Sequence, residues 1–116
     1  MTAADLAARH CKPCKKGDPP LPPKRVQAML ATLQTDWSVD AAGKSITRSC
    51  QFGNYYETIA FVNALAWIVH REDHHPDLEV GYNRCVIHFS THSIGGLSDN
   101  DFICAARIDA LLESST

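Results

Sequence analysis

The chain has 116 residues, of which 45% are hydrophobic and 8% aromatic, and a formal net charge of -2. That length makes one ordinary domain with a modest, mostly aliphatic core, and it excludes disorder throughout, which needs low hydrophobicity and high net charge. The basic excess of a nucleic-acid binder is absent, and no apolar run approaches the roughly 18 residues of a membrane span.

Charge is uneven along the chain. Residues 1–25 carry Arg9, Lys12, Lys15, Lys16, Lys24 and Arg25 against Asp5 and Asp18. This reads as a solvated tail, not a DNA-binding arm. The opening MTAADLAARHCKPC lacks the long apolar stretch of a signal peptide. Five cysteines without regular spacing fit a reducing cytoplasm better than a disulfide framework.

Residues 2–10 could form a short helical turn, but their length limits its stability. The segment CKPCKKGDPPLPP is proline-rich and irregular. Residues 1–23 are therefore expected to be a flexible tail carrying a CxxC, and residues 24–116 the folded domain. A first helix is expected from Lys24 to Leu33, where Val26, Met29, Leu30 and Leu33 share a face. Trp37 and Val39 alternate with Ser38 and Asp40 as a short strand. Ala42-Gly43-Lys44 signals a turn. Ser45–Phe52 reads as a strand with Ile46, Arg48, Cys50 and Phe52 on one side.

The spacing of Ala60, Phe61, Ala64, Leu65 and Ile68 predicts a long helix from Tyr55 to about Asp73, with Asn54 as cap and Glu57 completing a capping-box pattern. Trp67 is read as core. Leu78–Val80 and Arg84–Ser90 are the next strands, with Cys85, Ile87 and Phe89 facing opposite to Val86, His88 and Ser90. Ser98 caps a last helix, with Asp101 as an acidic capping-box equivalent. That helix runs to about Leu112 and buries Phe102, Ala105, Ile108 and Leu111 or Leu112. The expected fold is α+β: a four-stranded antiparallel sheet with three helices packed on one face.

Five of the six histidines fall between His70 and His92. Imidazole is the side chain best suited to moving protons near neutral pH. His70 and His74, four apart, share a helix face if the helix reaches them. His75 points elsewhere, Pro76 fixes the exit of the chain, and Asp73 can accept from an imidazole. His92 returns to this helix end if the sheet folds back. Three nearby imidazoles suit removing a proton from one atom while protonating a departing hydroxyl. His88, alone on its strand, reads as structural.

A catalytic zinc would use the same residue types, but the sequence is His70-Arg71-Glu72-Asp73-His74, not HExxH, and no metal is expected. Cys11-Lys12-Pro13-Cys14 has neither a second pair nor the βαβ context of a redox CxxC. Gly95-Gly96 is a turn, not a phosphate cradle. Trp37 could stack on a flat heteroaromatic substrate.

Glu72-Asp73-His74-His75-Pro76, then Tyr82-Asn83-Arg84, then Ser90-Thr91-His92, followed by Gly96-Leu97-Ser98-Asp99-Asn100-Asp101-Phe102 and Ala105-Ala106, resembles the pterin-4-alpha-carbinolamine dehydratases over residues 24–112. The resemblance implies a three-helix, four-stranded fold forming dimers or tetramers. It also implies dehydration of 4a-hydroxytetrahydropterin, the compound an aromatic amino acid hydroxylase leaves after turnover. His74, His75 and His92 take the family's catalytic positions. Trp37, Asp73, Pro76 and Thr91 are expected to contact the pterin, which is a substrate, so no cofactor is implied. Many members carry a glutamate four residues before the first histidine of the pair; here that residue is His70. Two further uses of the fold stay open. One is a non-catalytic interaction or transcriptional coactivator module; the other is a dehydratase-like enzyme of molybdopterin metabolism. No nucleic-acid or membrane partner is expected.

Overall fold

A computed structural model describes residues 1–114, apart from the side chain at 114. Its order is α1 (Ala3–Ala7), α2 (Pro23–Leu30), β1 (Ser38–Val39), β2 (Ile46–Gln51), α3 (Tyr55–Glu72), β3 (Asp77–Val80), β4 (Arg84–Phe89), a single 3-10 turn (His92–Ile94) and α4 (Asp99–Ser114). The strands form one antiparallel sheet in the order β1-β2-β4-β3.

The expected three helices are corrected to four α-helices among the described residues. The addition is α1, which is short but not isolated. The Thr2 side chain accepts from the Asp5 N–H at 3.1 Å while the Asp5 carboxylate accepts from the Thr2 N–H at 2.9 Å, so both orphan donors of a reciprocal cap are satisfied. Leu6 is completely buried and α1 lies against α4. Tertiary packing supplies what five residues cannot. The proline run beyond it is also fixed: the Leu21 N–H donates to the Leu97 carbonyl at 2.9 Å. A Cβ on Gly96 would stand 2.8 Å from the Pro20 side chain, so the chain crosses there only because residue 96 has none.

Strand β2 aligns with β4 so that Ile46 faces Phe89, Arg48 faces Ile87 and Cys50 faces Cys85. The side-chain period of two puts Ile46, Cys50, Cys85, Ile87 and Phe89 in the core and leaves Thr47 and His88 on the other face. Arg48 shares the inner face and is neutralised there: its guanidinium meets Asp109 of α4 at 2.5 Å and Asp36 at 3.4 Å. Asp109 also accepts from the Trp37 indole N–H at 2.7 Å and the Gln34 N–H at 3.2 Å. A buried carboxylate is tolerable because these donors surround it.

On α3 the buried stripe is Thr58, Phe61, Leu65 and Val69. This is rotated from the alanine-bearing stripe expected, and Trp67 is therefore 62% exposed, not core. The rotation depends on a polar residue that hydrophobic patterning ignores. The Thr58 hydroxyl lies 2.8 Å from the Asn54 carbonyl and 3.0 Å from the Tyr82 carbonyl, so it enters the core satisfied. Helix α4 is buried nearly all round, from Asp101 through Ala106 and again at Ile108 and Asp109. No helix among the described residues is long and apolar enough to cross a membrane.

Candidate active site

Helix α3 ends at a residue that turns the chain. Asp73 adopts φ 52°, ψ 42°, a left-handed conformation that Asp tolerates better than most side chains. Its N–H and that of His74 close on the His70 and Val69 carbonyls at 3.2 Å each, finishing the helix. The reversal sends His74 inward and leaves His75 exposed.

The His74 ring stacks on Phe89 with centroids 6.0 Å apart and planes 8° apart. Its Nε2 is 2.6 Å from Oδ1 of Asp101, which is completely buried at the start of α4. The other carboxylate oxygen, Oδ2, accepts from the Thr91 hydroxyl at 2.8 Å and the Ser98 N–H at 2.9 Å. The Ser98 and Thr91 hydroxyls are 2.7 Å apart. An Asp101 carboxylate accepts from Thr91 and Ser98, so it calls for a donor at His74 Nε2 and leaves Nδ1 as that ring's acceptor nitrogen. An imidazole whose second nitrogen is fixed by a carboxylate has a defined tautomer and orientation.

His92 opens the 3-10 turn after β4 and is exposed. His74, His75 and His92 line one cleft of about 190 Å³ with Asp73, Ser90, Thr91 and Ser93. A larger cleft of about 420 Å³ shares Asp73, His74, Thr91 and Ser93, and its far wall is Cys11, Lys12, Pro13 and Cys14. The structure thus brings together His74, His75, His92, Asp73 and Thr91. Two other residues expected to contact the pterin line neither cleft. Trp37 is 4% exposed, held by Asp109 and packed 6.1 Å from Phe89. Pro76 is half-buried and lines neither cleft.

His70 lies on the exposed side of α3, its ring 6.3 Å from that of Trp67. Glu72 serves the amino-terminal segment: it accepts from the Cys11 N–H at 2.7 Å and meets His10 at 2.9 Å and Arg107 at 3.9 Å. Burial alone would raise its carboxyl, but the Cys11 N–H, His10 and Arg107 outweigh that and hold it below the ordinary range. The carboxylate on His74 is therefore Asp101, which sequence reasoning reads only as a helix cap. It lies 27 residues from His74, so no local spacing links the two. Among the described residues, no three His, Cys, Asp or Glu side chains are grouped to hold a metal ion.

A buried carboxylate that fixes one histidine, beside two exposed histidines on the same cleft, is the kind of arrangement that acid–base chemistry on a small molecule uses. The chain belongs to the pterin-4-alpha-carbinolamine dehydratase family, whose description matches residues 19–111. A relative from Nitrosomonas eutropha, provisionally named pterin-4-alpha-carbinolamine dehydratase, is 54% identical over 110 residues, covering 95% of this chain and 96% of its own. One from Legionella pneumophila (strain Corby), named the same way, is 50% identical over 109 residues, covering 94% and 96%. Among solved structures, a transcriptional coactivator/pterin dehydratase from Brucella melitensis superposes with TM-score 0.75 at 27% identity, over 79% of this chain and 97% of that one. A pterin dehydratase-like RuBisCO assembly factor of the alpha-carboxysome gives TM-score 0.58 at 25% identity, over 67% and 90%.

Proposed function

We propose that the chain dehydrates 4a-hydroxytetrahydropterin to quinonoid dihydropterin and water, recycling the pterin consumed by an aromatic amino acid hydroxylase. The observation that carries this reading is the convergence of His74, His75 and His92 on one cleft, with His74 fixed by Asp101. The reaction breaks the C4a–O bond, whose electron pair leaves with the hydroxyl as a proton arrives to make water. The N5–H bond gives up its proton, and its pair becomes the C4a=N5 double bond. The proton donor and acceptor must therefore sit beside adjacent substrate atoms, which suits imidazoles on one small cleft. His74 presents Nδ1, while His75 and His92 face the cleft from solvent and can exchange protons with water between turnovers. Asp73 and Thr91, on the same walls, are the polar contacts for the pterin. The balance requires neither a redox partner nor a metal.

Chelator-treated protein is expected to accelerate loss of the 4a-carbinolamine absorbance above the spontaneous rate. A rate equal to the spontaneous one would overturn the reading in favour of a binding module. Activity lost to chelator and restored by zinc would overturn the metal-free mechanism. A substrate panel including molybdopterin-related compounds decides the pterin.

The same reading includes a homodimer or homotetramer. Strands β2 and β4 pair with each other at the centre of the sheet. The open edges are β1 and the four-residue β3, which carry the unpaired backbone groups that a second copy would satisfy. The exposed Tyr56 and Trp67 of α3 supply apolar area for a further contact.

A further inference from the structure

The amino-terminal segment is built into the larger cleft with more contacts than a tail requires. An Arg107 guanidinium N–H donates to the Arg9 carbonyl at 2.6 Å. Asn100 grips the backbone of Lys12 at both groups: Oδ1 accepts from the N–H at 3.0 Å and Nδ2 donates to the carbonyl at 2.6 Å. With the Glu72–Cys11 bond described above, these fix residues 9–12 as a strap across the start of α4. The strap sets Cys11 Sγ 3.6 Å from Cys104 Sγ. Cys104 is completely buried, one helical turn beyond Asp101, with Sγ 3.8 Å from the His74 carbonyl.

We propose that Cys11 and Cys104 form a reversible thiol–disulfide couple, in which a hydroperoxide entering the larger cleft oxidises Cys11 and Cys104 closes the bond, fastening the strap beside His74.

The two thiols are unequal in a way that orders the steps. Cys11 is half-buried and lines the cleft, so it meets the oxidant. Cys104 has no access of its own, and its hydrogen bond to Cys11, with burial second, holds its thiol far above the ordinary range. In the first step Cys11, as thiolate, attacks a peroxide oxygen. The O–O bond breaks, the alcohol departs with its proton, and Cys11 becomes a sulfenic acid. In the second step Cys104 gives up its proton and attacks the Cys11 sulfur, expelling hydroxide as water. Two thiols and one hydroperoxide thus give a disulfide, an alcohol and water; the sulfurs lose the two electrons the peroxide gains. Reaching a bond of about 2.05 Å asks the sulfurs, now 3.6 Å apart, to close by about 1.5 Å.

The other cysteines are placed differently. Cys14 lines the same cleft, but its Sγ meets Asn100 Nδ2 at 3.5 Å and the Lys12 carbonyl at 3.9 Å, not the Cys104 sulfur that Cys11 meets. Cys50 and Cys85 face each other across β2 and β4 in the core, and burial pushes the Cys85 thiol up to about 11.

The test uses the full chain, reduced and then treated with stoichiometric hydrogen peroxide, with thiol alkylation and tandem mass spectrometry as readouts. The expected result is loss of two alkylatable thiols per chain, fragments joining Cys11 to Cys104, and full reversal by dithiothreitol. Cys14→Ser is expected to form the same link. Cys104→Ala is expected to stop at a Cys11 sulfenic acid that dimedone traps. A Cys11–Cys14 link, a link between two chains, or both thiols left alkylatable would overturn the proposal. The readout is mass and not turnover, so either result leaves the dehydratase reading to its own assay.

Discussion

Asp101→Asn separates two roles that one carboxylate fills. The substitution keeps size and shape, so what changes is charge and the identity of one donor. Ser98 N–H must still find an acceptor where Oδ2 stands, which places the new amide oxygen there and the new NH2 group opposite His74 Nε2. Two donors then face each other unless His74 gives up its Nε2 proton and takes the other tautomer. Nδ1, the nitrogen that Asp101 does not hold, then carries a hydrogen and can no longer accept one. The expected loss in rate is about 10²- to 10⁴-fold, the range for disabling a general acid–base group. Stability also falls. Three bonds to a carboxylate, from His74, Thr91 and Ser98, become bonds to a neutral amide. At about 1 kcal/mol lost for each charged partner made neutral, the cost is about 2–3 kcal/mol. Rates of 4a-carbinolamine dehydration, urea unfolding and the nitrogen shifts of the His74 ring report the three effects separately. A variant that loses the stability but keeps both the rate and the tautomer would refute the orienting role and leave Asp101 as a cap alone.

His92→Ala is expected to slow dehydration by about 10²-fold, whereas His88→Ala, whose ring bridges Thr47 at 2.8 Å and Glu79 at 2.6 Å on the outer sheet face, should leave the rate unchanged; equal losses would refute the assignment. Glu72, held below the ordinary carboxylate range, contributes stability that is fully present above the unfolded value and lost as pH falls through the folded one. Urea midpoints measured across about pH 3 to 6 should therefore drop more for the native chain than for Glu72→Gln, and parallel curves would refute this. Sedimentation equilibrium should show a species of at least two copies, and Trp67→Glu should weaken it without unfolding the chain; a fully active species near 12.8 kDa would refute the association.

Much of this fold is legible because local signals and burial agree. Asn54 starts α3 where expected and its side chain does accept from the Glu57 N–H at 2.9 Å, while the Glu57 carboxylate accepts from the Gly53 N–H at 3.0 Å and not from the cap residue's own. Strands β2 and β4 follow their alternation to within a residue or two of the expected ends. The misses occur where tertiary contact decides. Leu6 lies in a segment too short to be a helix unaided, and only α4 tells it to fold. Trp67 is apolar yet exposed because Thr58, satisfied by two carbonyls, takes the inward stripe. At the site, the histidines are visible as a cluster in sequence because they sit on one helix end and the turn after the next hairpin. Asp101 and Glu72 are not, because their partners lie 27 and 61 residues away.

The double duty of Asp101 also explains why the cleft forms at this corner of the molecule. A helix start leaves N–H groups without partners, and in α4 the Ser98 N–H is answered by the Asp101 side chain. That carboxylate is fully buried, where an unpaired charge would be costly, so its second oxygen requires a donor from another element. His74 is available because Asp73 turns left-handed and aims the next residue inward. Thr91, two residues past β4, supplies the remaining donor. The end of one helix, the start of another and the turn after a strand are thus joined through one carboxylate. Breaking that junction should therefore loosen the fold and disable the site together, while changes to the exposed His75 or His92 should affect the chemistry alone.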